Sequence, residues 1–366
     1  MTGGSKKIVV AMSGGVDSSV AAALLKEQGH EVVGVSLRMW EAEGLGPRNC
    51  TDLGGARAVA KLLGIPHELL DLRAEFVERV VEPFAREYLR GRTPNPCVSC
   101  NRDFKLGKLL DWALGRGADY VATGHYARIA ADERTGRRAL LRGADRSKDQ
   151  SYFLFALSRE QLDRTLFPVG ELSKSEVRRE ARRLGLPVAD RVESQDICFG
   201  DYRALVRSYA SEGELAGGEI VDEAGRVLGR HQGIHGVTVG QRRGLGLCAS
   251  RPLYVLGIEE ATRRIVVGGK EALACRGLLA RDVRWIDTPP EEPIEAEVQI
   301  RYRSPPAPCT VRRRSDGSWQ VSFRRPHAPV TPGQAAVFYR GDRVLGGGWI
   351  EAALRAQPSA GRPAHV

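Results

Sequence analysis

The sequence predicts an α/β chain: a parallel-sheet domain first, then two small β domains of barrel type. Three observations carry that prediction. Strand and helix patterns alternate through the first 200 residues, an order that folds into a parallel sheet with ligands at the carboxyl ends of its strands. From about residue 212 the pattern becomes strand–turn–strand. The stretch DTPPEEP (Asp287–Pro293) then reads as a linker between two such β regions.

Each element has a local cause. KIVVAM (Lys7–Met12) is an apolar run suited to a buried strand, and Val16–Gly29 has helical apolar spacing closed by a glycine. Glu31–Trp40 reads as the next strand, Leu53–Gly64 as a helix, HELLDL (67–72) as a strand and residues 75–91 as a helix. A cysteine loop follows, then a helix over 105–117 and the strand Ala118–His125. Ser173–Gly185 opens with Ser173 and Glu176 in capping-box spacing; its Arg178, Arg179, Arg182 and Arg183 suit either RNA or a solvated face. Strand pairs are expected over 218–231, 253–269 and 295–353, with a tight Asp316–Gly317 turn. The boundaries drawn are 1–205 for the α/β domain, 206–284 for the central β domain, 285–355 for the C-terminal barrel and 356–366 for a disordered tail.

A chain of 366 residues exceeds one ordinary core, and its hydrophobic share of 42% and charged share of 27% are those of a globular protein. Without an apolar run of about 18–20 residues or a signal-type segment, no membrane partner is expected and a cytoplasmic location is. Seven scattered cysteines then suit free, metal-bound or catalytic thiols better than a disulfide framework. The net charge of +10, from 55 basic against 45 acidic residues, suits a polyanionic partner such as nucleic acid.

AMSGGVDSS (Ala11–Ser19) joins the first strand to the first helix. Gly14 and Gly15 let backbone N–H groups curl round an anion, and the helix N-terminus adds partial positive charge. Ser13, Ser18 and Ser19 offer hydroxyls; Asp17 can hold Mg²⁺ or cap the helix. No Lys-Ser/Thr follows the glycines, so this is not a Walker A loop. Further on, RTPNPCVSCNRDFK (Arg92–Lys105) places Cys97 and Cys100 in C-x-x-C spacing. By itself that spacing fits half a zinc knuckle, a redox dithiol, cluster ligands, or one reactive thiol with an incidental neighbour.

The loop resembles that of the ATP pyrophosphatase superfamily, whose members cleave ATP between the α and β phosphates and adenylate a substrate oxygen. With PNPCVSCN (94–101), KDQSYFL (148–154), SQDICFG (194–200), GQRRGLG (240–246) and IRYRS (300–304), the chain resembles the tRNA-specific 2-thiouridylases over essentially its whole length. The resemblance implies a sulfurtransferase that adenylates the 2-oxygen of a wobble uridine with ATP and Mg²⁺ and replaces it with sulfur. It also implies tRNAs for lysine, glutamate and glutamine as substrates, and a persulfide donor such as a cysteine desulfurase or sulfur-carrier protein.

By the same resemblance, Cys198 bears the persulfide, Cys100 is the nucleophile, and the two form a transient disulfide. ATP contacts are implied for Ala11, Met12, Ser13, Gly14, Gly15, Val16, Asp17, Ser18, Leu37 and Gly124. Contacts to tRNA are implied for Lys148, Asp149, Gln150, Arg301 and Tyr302. His125 fits a polarising or a structural imidazole, and Cys50, Cys248, Cys275 and Cys309 fit structural thiols. Many family members carry aspartate where this chain has Cys97. Cys97 can instead tune a neighbouring thiol, take over resolution, or help bind metal. With Cys100 and Cys198 it would supply three ligands of a [4Fe–4S] cluster with one open iron. The rivals are another ATP pyrophosphatase acting on a different substrate, and a non-catalytic RNA- or metal-binding protein of the same fold.

Overall fold

The computed structural model describes residues 4–41, 51–132, 135–191, 198 and 201–355. Cys50, the SQDICFG string apart from Cys198, and the tail from residue 356 lie outside the described residues. The chain divides into two units: 1–82, 96–202 and 341–345 in the first, and 83–95, 203–340 and 346–366 in the second.

In the first unit, β1 (Lys7–Ala11), β2 (Glu31–Arg38), β3 (His67–Asp71), β4 (Tyr120–Ala122) and a short strand at Thr165–Leu166 form a parallel sheet. Their spatial order is β3–β2–β1–β4, then Thr165–Leu166. Ile8, Val9 and Val10 pair with Val32, Val33 and Gly34 on one side and with Tyr120, Val121 and Ala122 on the other. A central strand covered on both faces carries no polar alternation, which is why KIVVA is continuously apolar. The helices α1 (Val16–Glu27) and α2 (Leu53–Leu63) and the helix Lys174–Arg183 pack Val20, Ala21, Val59, Ala60, Val177 and Ala181 into the core shared with Ile8 and Val10. Chain order reverses across β1, so the turns leaving β1 and β4 open at one crevice, where such sheets bind ligands.

Two helical stretches of this unit are wider than α. Val77–Val81 and Cys100–Lys108 are π-helical, and Phe76 meets Phe104 edge to face at 5.1 Å between ring centroids. The expected helix over 105–117 instead begins at Pro96: an α-helical turn over Pro96–Ser99 runs into the π segment at Cys100 and returns to α over Leu109–Leu114, so the expected cysteine loop is helical and carries both Cys97 and Cys100. A hairpin, Ala127–Ala131 with Arg138–Arg142, also belongs to this part of the chain.

The second unit is β-rich. Tyr254–Glu259, Arg264–Gly268, Gly218–Val221 and Val227–His231 form a four-stranded sheet around Ile220, Ile234, Val255, Ile265 and Val267. Cys275–Trp285, Trp319–His327, Ala307–Arg313, Ile294–Gln299, Ala335–Arg340 and Arg343–Arg355 pair in that order, and the first pairs with the last to close a barrel. Trp285 stacks on Phe338 at 5.4 Å in this core. Gly317 takes a φ of +81° in the Asp316–Gly317 turn, which only glycine adopts without strain. Among the described residues no helix is long and apolar enough to cross a membrane.

Candidate active site

The turn after β1 is built for an anion. Gly14 has a φ of +76°, and a Cβ there would strike the Asp52 carbonyl oxygen. Gly15 is the N-cap of α1, and no side chain caps it. Free N–H groups and the positive end of a twelve-residue helix therefore face the crevice. The Ser18 hydroxyl accepts from the Ser13 N–H at 3.2 Å and donates to the Gly15 carbonyl at 3.2 Å, which fixes the loop's curl. Ser19 donates to the same carbonyl at 2.8 Å. From the turn after β4, Gly124 comes so close that a Cβ would lie 2.5 Å from the Ser18 nitrogen. Leu37 is buried near the end of β2, its carbonyl accepting from Thr51 Oγ1 at 2.8 Å. The loop, Leu37 and Gly124 thus lie at the carboxyl ends of three adjacent strands.

Asp17 is already matched in charge. Lys174 Nζ lies 2.7 Å and 2.9 Å from its two carboxylate oxygens, and Tyr126 Oη donates to Oδ1 at 2.6 Å. The Lys174 side chain is only 11% exposed. This geometry does not fit a magnesium ion on Asp17, where the ammonium stands in the cation's place. Loop and helix terminus, by contrast, fit the phosphates of ATP.

The thiols come next. Cys100 is buried, Cys97 and Cys198 are partly exposed, and none of the three is joined in a disulfide. Burial pushes Cys97 up to about 11, with the nearby Cys198 raising it further and Lys105 opposing. Burial pushes Cys100 up to about 12; Lys105 opposes, while Cys198, Cys97 and Asp103 reinforce the rise. Each thiol feels the others, so three cysteines from 97 to 198 in sequence share one neighbourhood. Cys100 Sγ also meets Met39 Sδ at 3.9 Å. Among the described residues no three His, Cys, Asp or Glu side chains converge closely enough to hold a metal ion. The three thiols as placed do not fit an iron–sulfur cluster.

Residues 6–201 match the family described as the tRNA methyl transferase HUP domain, 209–269 its PRC-barrel domain and 275–350 the aminomethyltransferase β-barrel domain. The tRNA-specific 2-thiouridylase MnmA of Syntrophotalea carbinolica is 52% identical over 352 residues, spanning 94% of this chain and 99% of that one. The MnmA of Geobacter metallireducens is 52% identical over 363 residues, spanning 95% and 98%. This chain belongs to the tRNA-specific 2-thiouridylase family.

The residues implied as tRNA contacts in this family are placed unevenly. Asp149 faces inward: its carboxylate pairs with Arg142 at 3.0 Å and accepts from the Gly143 N–H and the Ser151 N–H and hydroxyl, each at 3.0 Å. Gln150 Oε1 accepts from the Tyr126 N–H at 3.0 Å, and its own N–H returns a bond to the Tyr126 carbonyl at 2.9 Å. Gln150 therefore braces the segment carrying Gly124 and Tyr126, whereas the Asp149 carboxylate ties together Arg142, Gly143 and Ser151. Lys148 is partly exposed on the same turn, its N–H bonded to the Asp145 carbonyl at 3.0 Å. Arg301 is exposed in the turn after Ile294–Gln299, beside Tyr302, whose ring lies under Arg303 at 5.2 Å.

The arginines of the helix Lys174–Arg183 are engaged within the chain. Arg178 donates to the Ala189 and Arg191 carbonyls, Arg182 pairs with Asp190, and Arg183 pairs with Glu27 and Glu180. Arg179 lies 3.6 Å from Glu176. The solvated-face reading fits them better than an RNA-facing one. His125 is buried, its Nδ1 2.7 Å from Thr123 Oγ1, and burial with help from Lys105 lowers it to about 3. It is a neutral imidazole at ordinary pH. Cys275 and Cys309 are buried in barrel strands and Cys248 is exposed.

Sequence reasoning missed Tyr126, Lys174 and the Asp52–Arg191 pair. Asp52 caps α2 through the Gly55 N–H at 3.1 Å, and Arg191 pairs with Asp52 while donating to the Gly14 carbonyl at 3.2 Å. That guanidinium holds the Asp52 carboxyl below the usual range. For Lys174 the capping box marks only where its helix starts; that its side chain meets Asp17 is decided by tertiary packing.

Proposed function

We propose that this chain thiolates the wobble uridine of tRNA at its 2-position, with ATP activating the oxygen and Cys198 carrying the sulfur as a persulfide. One observation carries the reading: an uncapped glycine-turn helix terminus and three mutually interacting thiols belong to the same unit.

The pyrimidine carbonyl is unreactive because oxide is a poor leaving group. Attack of its 2-oxygen on the α-phosphorus of ATP forms the adenylate and expels pyrophosphate, whose charge suits the N–H groups of the loop. The outer sulfur of the Cys198 persulfide then attacks C2, and AMP leaves with the bonding pair. Cys100, as thiolate, attacks the inner sulfur of the Cys198 adduct. The Cys100–Cys198 bond forms, the inner–outer sulfur bond breaks, and the outer sulfur stays on C2 as the thiocarbonyl. A dithiol reductant must return the disulfide to two thiols, and a cysteine desulfurase or sulfur-carrier protein must reload Cys198. A cytoplasmic setting supplies both, and family membership favours the tRNAs for lysine, glutamate and glutamine.

The test is an assay of pyrophosphate release and 2-thiouridine in unmodified tRNA with ATP and a persulfide donor. Cys198→Ser and Cys100→Ser should each abolish 2-thiouridine while ATP still binds. Wild-type thiolation in either variant would sink the reading. Pyrophosphate release without thiolation in the unmutated protein would favour a different acceptor.

A further inference from the structure

We propose that Tyr126 is a positioning residue that joins the Lys148–Ser151 turn to Asp17 of the phosphate loop, so that tRNA held at the turn tightens the ATP site. The inference rests on the reading of the loop as the ATP site and of the turn as a tRNA contact, and adds the connection between them.

The turn is locked from inside. The Asp149 side chain is only 7% exposed, and its carboxylate accepts from Arg142, from the Gly143 N–H and from the Ser151 N–H and hydroxyl, each at 3.0 Å. A carboxylate so enclosed fixes the backbone around it rather than facing an RNA. Gln150 then grips Tyr126 at two points. Its Oε1 accepts from the Tyr126 N–H at 3.0 Å, and its N–H donates to the Tyr126 carbonyl at 2.9 Å. Gly143 closes on the same carbonyl, where a Cβ would lie 2.7 Å from the oxygen. Close packing of this kind passes a shift of the turn to the Tyr126 backbone.

Tyr126 carries it onward. The residue is 3% exposed, and its hydroxyl donates to Asp17 Oδ1 at 2.6 Å. Two residues earlier, a Cβ on Gly124 would lie 2.5 Å from the Ser18 nitrogen and 2.6 Å from the Asp17 carbonyl carbon. One short stretch thus meets the start of α1 twice, through backbone at Gly124 and through a side chain at Tyr126. Asp17 stands in the first turn of that helix, beside the glycine loop. A carboxylate released from the hydroxyl presents more negative charge to a polyphosphate, and ATP binding falls.

Asp149, Gln150, Tyr126 and Asp17 form one path of direct hydrogen bonds and adjoining peptide units. If the turn and the loop are coupled along it, each ligand must favour the other equally. The chemical benefit is that ATP is held tightly when an acceptor is seated, which limits pyrophosphate release without one.

The experiment is calorimetric titration of the full chain with α,β-methylene ATP, which cannot be cleaved between the α and β phosphates, with and without saturating unmodified tRNA. In the unmutated protein tRNA should lower the Kd of the analogue about fivefold. Tyr126→Phe keeps the ring and removes the hydroxyl; it should raise the Kd about fivefold without tRNA and reduce the tRNA effect to less than about twofold. Gln150→Met cuts the other end of the path. The double variant should bind the analogue within about twofold of Tyr126→Phe alone, because both changes break one path. Gln150→Leu serves if circular dichroism finds the methionine variant unfolded. A purely structural role makes the two losses multiply and leaves the tRNA effect intact. Multiplied losses, an undiminished tRNA effect in Tyr126→Phe, or no tRNA effect in the unmutated protein would each overturn the inference. These titrations involve no sulfur, so such results leave the thiouridylase reading standing. Unmutated protein that binds tRNA and ATP yet forms no 2-thiouridine with a persulfide donor would overturn that reading alone.

Discussion

Burial and charge oppose each other at single residues of this site, and the balance sets reactivity. Cys97 and Cys100 are held at about 11 and about 12, mainly by desolvation. At neutral pH they keep their protons, and a protonated thiol is a poor nucleophile. Iodoacetamide should therefore modify the exposed Cys248 much faster than Cys100 at pH 7. Equal rates would contradict the burial account. His125 gives a second pH signature. Its folded value of about 3 lies below the ordinary 6.5, so the unfolded chain binds a proton that the folded chain refuses. The stability it contributes is present above about pH 6.5 and is lost as pH falls toward about 3. His125→Asn should flatten the decline of the urea midpoint across that window; an unchanged slope would show that other groups govern it. Lys174 is read differently: it pairs with Asp17 at 2.7 Å and stands beside the phosphate loop. Lys174→Met should raise the KM for ATP, because an unmatched carboxylate then faces a polyphosphate.

Elements differ in how plainly the chain announces them. β1, α1, β2, α2 and the helix after Ser173 follow from apolar periodicity and caps, and the structure places each within a few residues of the expected bounds. The capping box is formed in both directions, with Ser173 accepting from the Glu176 N–H at 3.2 Å and Glu176 accepting from the Ser173 N–H at 2.8 Å. Ser173→Ala should cost about 1 kcal/mol of stability, measured by urea unfolding. The hairpin Ala127–Ala131 with Arg138–Arg142, the two-residue strand Thr165–Leu166 and the register of Cys275–Trp285 were not legible. Their sequences are short or rich in arginine, and partners distant in sequence decide them. The π-helical stretch at Cys100 carries no propensity signal; its Phe104 is fully buried against Phe76. Candidate site residues followed the same rule. The phosphate loop was legible because its glycines answer a local backbone demand. Tyr126 and Lys174 were not, because only tertiary packing brings them to Asp17. Gly124 tests the closeness of two turns: Gly124→Ala puts a Cβ 2.5 Å from the Ser18 nitrogen. It should weaken ATP binding at least tenfold by calorimetry while the fold persists; unaltered binding would refute the close approach.

Across the whole molecule, the net charge of +10 is what remains after the acidic residues have cancelled their share of the basic ones. Arg178, Arg182, Arg183 and Arg191 are spent on carboxylates and carbonyls of the chain itself. Affinity for tRNA should still fall as salt rises, since phosphate contacts release counterions. The family match runs through all three of its domains, so the account concerns the chain as a whole. Its central claim is that Cys100 and Cys198 act on one sulfur atom. The most direct measurement is a single turnover of persulfide-loaded protein with ATP and unmodified tRNA, without reductant, followed by non-reducing peptide mass spectrometry. The account predicts one Cys100–Cys198 disulfide for each 2-thiouridine formed. Formation of 2-thiouridine with both thiols still free would contradict it.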